Sequence, residues 1–208
     1  MILIGQYDSP FVRRVGVALM LYDLPFEHRP WSVFRDGEKI APLNPLVRVP
    51  TFELDDGLVL VESHAILDYL DSLVPPGLAL LPRSEPERHR ALRVAALAMG
   101  LAEKAVSLFY EVRLHDQVSD AWARRCGAQI LGALAVLERE RAERFGDWWF
   151  EDRIGHADIA LACALRFVSE AHPDLVILSD YPALEAHSAR CEALDVFKTV
   201  SQPFIPPA

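Results

Sequence analysis

A run of prolines between residues 75 and 86 divides this chain into two halves with different patterns. Val74-Pro75-Pro76-Gly77 ends a helical pattern abruptly, and the segment to Pro86 holds four prolines, which reads as a linker. Before it, strand and helix signals alternate. Met1 to Gln6 is a short apolar strand, and Ser9-Pro10 opens a helix with Phe11, Val15, Ala18, Leu19 and Tyr22 at the spacing of one face. Leu24-Pro25 stops that helix, Phe26 to Val33 suits a second strand, and Arg35 to Ala41 is a polar stretch without a pattern. Thr51 to Leu54 and Leu58 to Val61 flank Asp55-Asp56-Gly57, a hairpin signal, and Ser63 opens another helix with Ile66, Tyr69, Leu70 and Leu73 on one face.

Beyond Pro86 the chain is wholly helical. Residues 87 to 115 and 119 to 145 are long, alanine-rich and amphipathic, residues 155 to 171 are apolar almost all round, and a shorter helix follows Pro182. The tail, residues 202 to 207, is too rich in proline for a helix and is expected to lie along the surface. The order is therefore β-α-β, then β-β-α, then an all-helical unit. A single doubly wound sheet would go on alternating strand with helix. The expected division is a mixed α/β domain over 1–77, a linker over 78–86 and an all-α domain over 87–208.

Composition narrows the classes of partner. Hydrophobic residues make up 51% and charged residues 25%, enough apolar content for a substantial core. The net charge of −9 argues against nucleic acid, whose phosphates need a basic face. No apolar run reaches the ~20 residues of a membrane span. The start, Met1-Ile2-Leu3-Ile4, lacks the basic and long apolar regions of a secretory leader, so a cytoplasmic location is expected. Cys126, Cys163 and Cys191 form no CxxC and fall in apolar helical contexts, where cysteine is a small buried hydrophobe. No histidine spacing suggests a metal.

Three short motifs carry chemistry. In Ser9-Pro10-Phe11, serine can cap a helix with proline in the first position, and that alone would explain both. A helix N-terminus is also an anion site, and a thiol held there by the Ser9 hydroxyl would have its ionised form favoured. In Asn44-Pro45-Leu46-Val47-Arg48-Val49-Pro50, the prolines fit ordinary turn chemistry. A cis Val49–Pro50 bond would instead turn the Val49 N–H and C=O outward, ready to pair with an extended peptide. In Glu62-Ser63, a strand end meets a helix start. Beyond strand end and cap, Glu62 can accept from an ammonium group while Ser63 and the helix N–H groups bind a carboxylate, as the head of a γ-glutamyl peptide requires.

Together, and in this order, the motifs resemble those of the glutathione transferase family over nearly the whole chain. Ser-Pro-Phe resembles the serine-type site of tau-class and several bacterial members, where the omega class has cysteine. Asn44-Pro45 to Val49-Pro50, followed by Glu62-Ser63-x-Ala65-Ile66-x-x-Tyr69-Leu70, is similar to the family's glutathione-site sequence. The resemblance implies a thioredoxin-like N-terminal domain and an all-helical C-terminal domain. It also implies glutathione as co-substrate, a hydrophobic electrophile as acceptor, and a homodimer; the alternatives are a glutathione-binding or interaction protein of the same fold without turnover and, less favoured because serine stands in place of cysteine, a glutathione-dependent thiol reductase. Carried over, Ser9 would hydrogen-bond the sulfur beside Phe11, Val49 would pair with the cysteinyl backbone with Pro50 in cis, and Glu62 and Ser63 would hold the γ-glutamyl end. Arg35, Lys39 and Arg48 are candidates for the glycyl carboxylate, and Phe109 and Tyr110 for the acceptor pocket. Tyr7 is an alternative to Ser9, and Ser9 is preferred. The chain departs from the pattern at Gly155, where the family has a hydroxyl residue three positions before Asp158; the expected loss is a few tenths of a kcal/mol.

Overall fold

The computed structural model describes residues 1–150 and 152–205, so the final two prolines of the tail lie outside the described residues. The chain forms two compact units, Met1–Leu80 with the chain from Asp195, and Leu81–Leu194.

In the first unit, β1 (Ile2–Ile4), α1 (Pro10–Leu21) and β2 (Glu27–Arg29) form a β-α-β element with parallel strands. A four-residue helix, α2 (Gly37–Ile40), then occupies part of the stretch read as patternless. The antiparallel strands β3 (Thr51–Glu53) and β4 (Val59–Val61) complete a sheet of order β2-β1-β3-β4, and α3 (Ser63–Ser72) follows. The hairpin turns where Asp-Gly predicts: Leu54 N–H donates to the Leu58 carbonyl at 2.8 Å and Gly57 has a φ of +86°, which favours glycine. Leu3, Ile4 and Phe52 from the sheet, Val12, Val15 and Leu19 from α1, and Ile66 and Leu70 from α3 are fully buried. Val15, Leu19, Ile66 and Leu70 lie on the faces read from the sequence, whereas Val12 lies off the α1 face and Leu73 of the α3 face is exposed.

The expected boundaries need correction at both ends. Leu80 belongs to the first unit, where its N–H donates to the Tyr22 hydroxyl at 2.7 Å, and that hydroxyl in turn donates to Asp71. The end of the chain also returns to the first unit instead of completing the helical one. Helix α8 (Asp195–Thr199) packs on α1 and buries Phe197. Arg13, 1% exposed, explains why: its Nε donates to the Val200 carbonyl at 2.8 Å and its Nη2 to the Phe197 carbonyl at 3.0 Å. A buried guanidinium needs such acceptors, and the last turn of α8 supplies unpaired carbonyls.

In the second unit, α4 (Glu87–Leu114) packs against α5 (Asp120–Ala142) and α6 (His156–Ala171), and α7 (Pro182–Glu192) packs on α5 and α6. Ile159, Leu161 and Leu165 of α6 have no exposed surface, matching a helix apolar on every side. Cys126, Cys163 and Cys191 are buried thiols. Glu138 of α5 caps α7, its two oxygens accepting from the Ala183 and Leu184 N–H groups at 3.0 and 2.9 Å.

Asp158 organises the start of α6. One oxygen accepts from the Gly155 N–H at 2.8 Å, half of a reciprocal cap, since Gly155 has no side chain to return the bond. The other accepts from the Trp149 N–H at 2.8 Å, tying the preceding loop to the helix. Behind it lies His187, fully buried, with Asp158 Oδ1 3.5 Å away, Cys191 Sγ at 3.7 Å, and Arg141 Nε donating to its Nδ1 at 3.2 Å. Burial, then the Arg141 charge, holds His187 neutral down to about pH 3, while burial raises Asp158 to about 6 against its backbone hydrogen bonds.

A histidine depressed in the folded state contributes stability that is complete above 6.5, the unfolded value, and is lost as pH falls toward 3. Asp158 works in the opposite direction, so comparison with a His187→Gln variant isolates the histidine. The stability gap between wild type and variant, from urea denaturation, is expected to narrow by up to about 3 kcal/mol between pH 7 and pH 4. A gap that widens would show that His187 is charged in the fold.

Candidate functional site

The sheet register brings the three motifs together. Ile4 pairs with Thr51 across β1 and β3, and Thr51 pairs with Val61 across β3 and β4. The next residues out of each strand therefore sit at the same end of the sheet: Gly5 to Ser9 after β1, Val49-Pro50 before β3, and Glu62-Ser63 after β4. Gly5 makes the close approach possible. Its φ is +132°, and a β-carbon there would lie 2.5 Å from Val12 Cγ2 and 2.8 Å from Val49 Cβ.

Ser9 is the N-cap of α1, with extended φ and ψ of −69° and 122° and Pro10 in the first helical position. Its Oγ accepts from the Val12 N–H at a long 3.4 Å, and its hydroxyl hydrogen has no acceptor among the described residues. The first turn of α1 carries no acidic residue to compete for the helix end. Ser9 is thus a helix cap whose donor is available to a further group. Phe11 stands half-buried in the same turn.

The Val49–Pro50 peptide is cis. Neither the N–H nor the C=O of Val49 is paired among the described residues. The loop is held from within by Asn44, 1% exposed, a residue whose role sequence reasoning missed. Its Nδ2 donates to the Arg48 carbonyl at 2.9 Å and to Thr51 Oγ1 at 3.1 Å, while its Oδ1 accepts from the Leu46 N–H at 3.0 Å. An asparagine ahead of a proline was the available signal, because Asx side chains mimic backbone in turns.

Glu62 has a φ of 69° and ψ of 122°, a conformation an L-residue with a side chain adopts only under constraint. Arg48 lies 3.3 Å from its carboxylate, and both side chains are more than half exposed. Ser63 begins α3. It is 1% exposed, and its Oγ has no hydrogen-bond partner among the described residues. A buried hydroxyl without a partner at a helix N-terminus is an uncommon feature of a folded chain.

The other candidates divide. Arg48 borders the site through Glu62. Lys39 pairs with Asp36 at 2.6 Å and lies 5.6 Å from the Trp31 ring, and Arg35 is exposed on the loop ahead of α2. Helix α2 flanks the Asn44–Pro50 loop, since a β-carbon on Gly37 would lie 3.4 Å from Val47 Cγ1. Tyr7 stacks on His28 with ring centroids 3.9 Å apart, and a β-carbon on Gly16 would lie 2.9 Å from its ring. Burial pushes its phenol up to about 12, which makes it a poorer donor than an ordinary tyrosine. Phe109, buried in the second unit, meets Tyr110 and the edge of His172, whereas Tyr110 is exposed. Among the described residues, no group of three His, Cys, Asp or Glu side chains could hold a metal ion, and no helix is long and apolar enough to cross a membrane.

Known proteins match both halves of the chain. The profile of the glutathione S-transferase N-terminal domain matches residues 3–78, and that of the C-terminal domain matches residues 120–190. A maleylacetoacetate isomerase of Pseudomonas aeruginosa is 33% identical over 169 residues, covering 76% of this chain and 77% of that protein. The mouse maleylacetoacetate isomerase is 29% identical over 210 residues, covering 97% and 92%. A glutathione S-transferase of Methylobacterium radiotolerans, solved in complex with glutathione sulfonate, superposes with a TM-score of 0.89 at 29% identity over 100% of this chain and 98% of that one. With both domains matched and the fold shared from end to end, this chain belongs to the glutathione S-transferase family.

Proposed function

We propose that the protein binds glutathione at the end of its sheet and holds it as a thiolate through Ser9, for attack on an electrophilic carbon of a small molecule. The observation that carries this reading is the convergence of unused groups: the Ser9 hydroxyl hydrogen, the Val49 N–H and C=O, and the buried Ser63 hydroxyl. They match the thiol, the cysteinyl backbone and the γ-glutamyl carboxylate, with Glu62 for the ammonium group. Ser63 Oγ would turn about χ1 to reach the ligand. Arg48, beside Glu62, Arg35 and Lys39 are proposed for the glycyl end, and Phe11, Phe109 and Tyr110 for apolar contacts. The family's usual homodimer belongs to the same proposal, as does a cytoplasmic location.

Magnitudes favour the serine. A free thiol has a pKa of about 8.5, so ionising it near neutrality takes a shift of roughly two units, about 2.7 kcal/mol. A hydrogen bond to a charged group contributes about 1.5–3 kcal/mol and a helix terminus about 0.3–1. The thiol proton leaves for solvent on binding, and the sulfur lone pair then forms the new S–C bond. In a displacement, the leaving group departs with its bonding electrons. On a conjugated enone, the electrons move to the carbonyl oxygen as an enolate.

The names of the relatives favour a second reading of the same chemistry. After addition to a cis enone, rotation about the former carbon–carbon double bond, now single, and expulsion of the same thiolate as the enolate collapses would give the trans isomer and return glutathione. Product analysis separates the two, because a transferase consumes one glutathione per turnover and an isomerase none. A thiol-reductase reading is disfavoured by serine standing where a mixed disulfide needs cysteine.

Ser9→Ala is expected to raise the pKa of the bound thiol by about one to two units, read from thiolate ultraviolet absorbance during a pH titration. An unchanged titration would remove Ser9 from this role. Glu62→Gly should melt no lower than wild type, since glycine relieves a conformation costing about 1–3 kcal/mol. Its glutathione affinity by calorimetry should fall by about tenfold or more with loss of the ammonium contact. Full affinity in that variant would move the ammonium group elsewhere.

A further inference from the structure

The turn that presents Ser9 is gripped by the end of the chain. The Tyr7 N–H donates to Gln202 Oε1 at 2.9 Å, and the Ile205 N–H donates to Asp8 Oδ2 at 3.3 Å. Gln202 and Asp8 are separated from their partners by about 195 residues of sequence, so nothing local dictates these bonds. The tail is fixed at its start by Arg13, whose guanidinium holds the Phe197 and Val200 carbonyls and lies 5.2 Å from the Phe197 ring centroid. The contacts therefore fall on both sides of Ser9, at Tyr7 and Asp8 before it and at Arg13 one turn after it. Within the turn itself, the Ser9 N–H donates to the Gln6 carbonyl at 3.2 Å.

We infer that the segment Phe197–Ile205 is a strap that positions Ser9 toward the glutathione sulfur, with Gln202 as its positioning residue. The inference rests on the reading of Ser9 given above. Two physical effects follow. An N-cap hydroxyl works only while its backbone stays extended ahead of the helix, and Gln202 fixes the residue two positions before it. Asp8 adds a carboxylate next to Ser9, and a thiolate held there is repelled by a carboxylate turned toward it. The Ile205 N–H keeps one of its oxygens on the tail side. The other titratable groups around the turn bring no competing charge change near neutrality. The Tyr7 phenol and the His28 imidazole are both kept neutral by burial, and Arg13 is bonded to carbonyls. The described tail from Ser201 to Ile205 has no ionisable side chain.

A double-mutant cycle of Gln202→Ala and Ser9→Ala, made in the full chain, tests this. In the wild-type background Gln202→Ala should raise the pKa of bound glutathione by about 0.7 unit, a fivefold change in its ionisation constant and the worth of one ordinary hydrogen bond. The dissociation constant for glutathione should change by less than about threefold, because the Val49, Glu62 and Ser63 contacts remain. In the Ser9→Ala background, Gln202→Ala should leave the thiol titration where it is. A titration unmoved by Gln202→Ala when Ser9→Ala does move it overturns the strap, even if the melting temperature falls. Equal shifts in both backgrounds overturn it too, since the tail would then act without the serine. If Ser9→Ala itself moves nothing, the reading of Ser9 fails first, a result distinct from either of these.

Discussion

The pairing of β1 with β3 and of β3 with β4 is the constraint on which the site depends. A strand residue pairs with one partner on each side, so Ile4–Thr51–Val61 is a single row across the sheet. Whatever follows β1, precedes β3 and follows β4 must emerge side by side. A slip of one residue would turn every side chain to the other face and bury polar groups among Leu3, Phe52 and the helices beneath. The same apolar pattern that fills the core thereby fixes the relative places of Ser9, Val49 and Ser63. Gly5 then permits the last approach, because no side chain fits between β1 and the Val49 loop.

Polar groups inside each unit show a common logic. Asn44, Arg13, Asp158 and Glu138 are polar or charged side chains that bind backbone at places where secondary structure ends. Each supplies partners to N–H or C=O groups that helices and strands leave open. Ser63 is the contrast. It is buried at such an end and its Oγ has no hydrogen-bond partner among the described residues, as is also true of Trp149 Nε1. Glu62 beside it holds a positive φ of 69°. A positive φ and an unpartnered hydroxyl at adjacent positions are the two features that the proposed binding role uses.

Much of the fold is legible in the sequence. The strands, the α1, α3 and α6 faces, the Asp-Gly hairpin and the proline-rich divide all follow from local pattern. Their places in the structure differ from the reading by only a few residues. The long-range contacts were not legible. Nothing in Arg13-Arg14 distinguishes a buried pair from a solvated one, and the acceptors that satisfy Arg13 are carbonyls about 185 residues away. The polar stretch Arg35 to Ala41 hid α2, since a single turn is too short to show a period. Phe109 and Tyr110 are adjacent on one helix and have opposite exposures, a difference set by what the neighbouring helices cover.

The sequence by itself therefore determined the classes of element, their order, and the residue types at each motif, because propensity, periodicity and capping act within a few residues. Tertiary structure alone decided which motifs meet, which hydroxyl is left without a partner, and where the chain's end is tied down. Those outcomes depend on register and on hydrogen bonds between distant segments, and no window of sequence contains both partners.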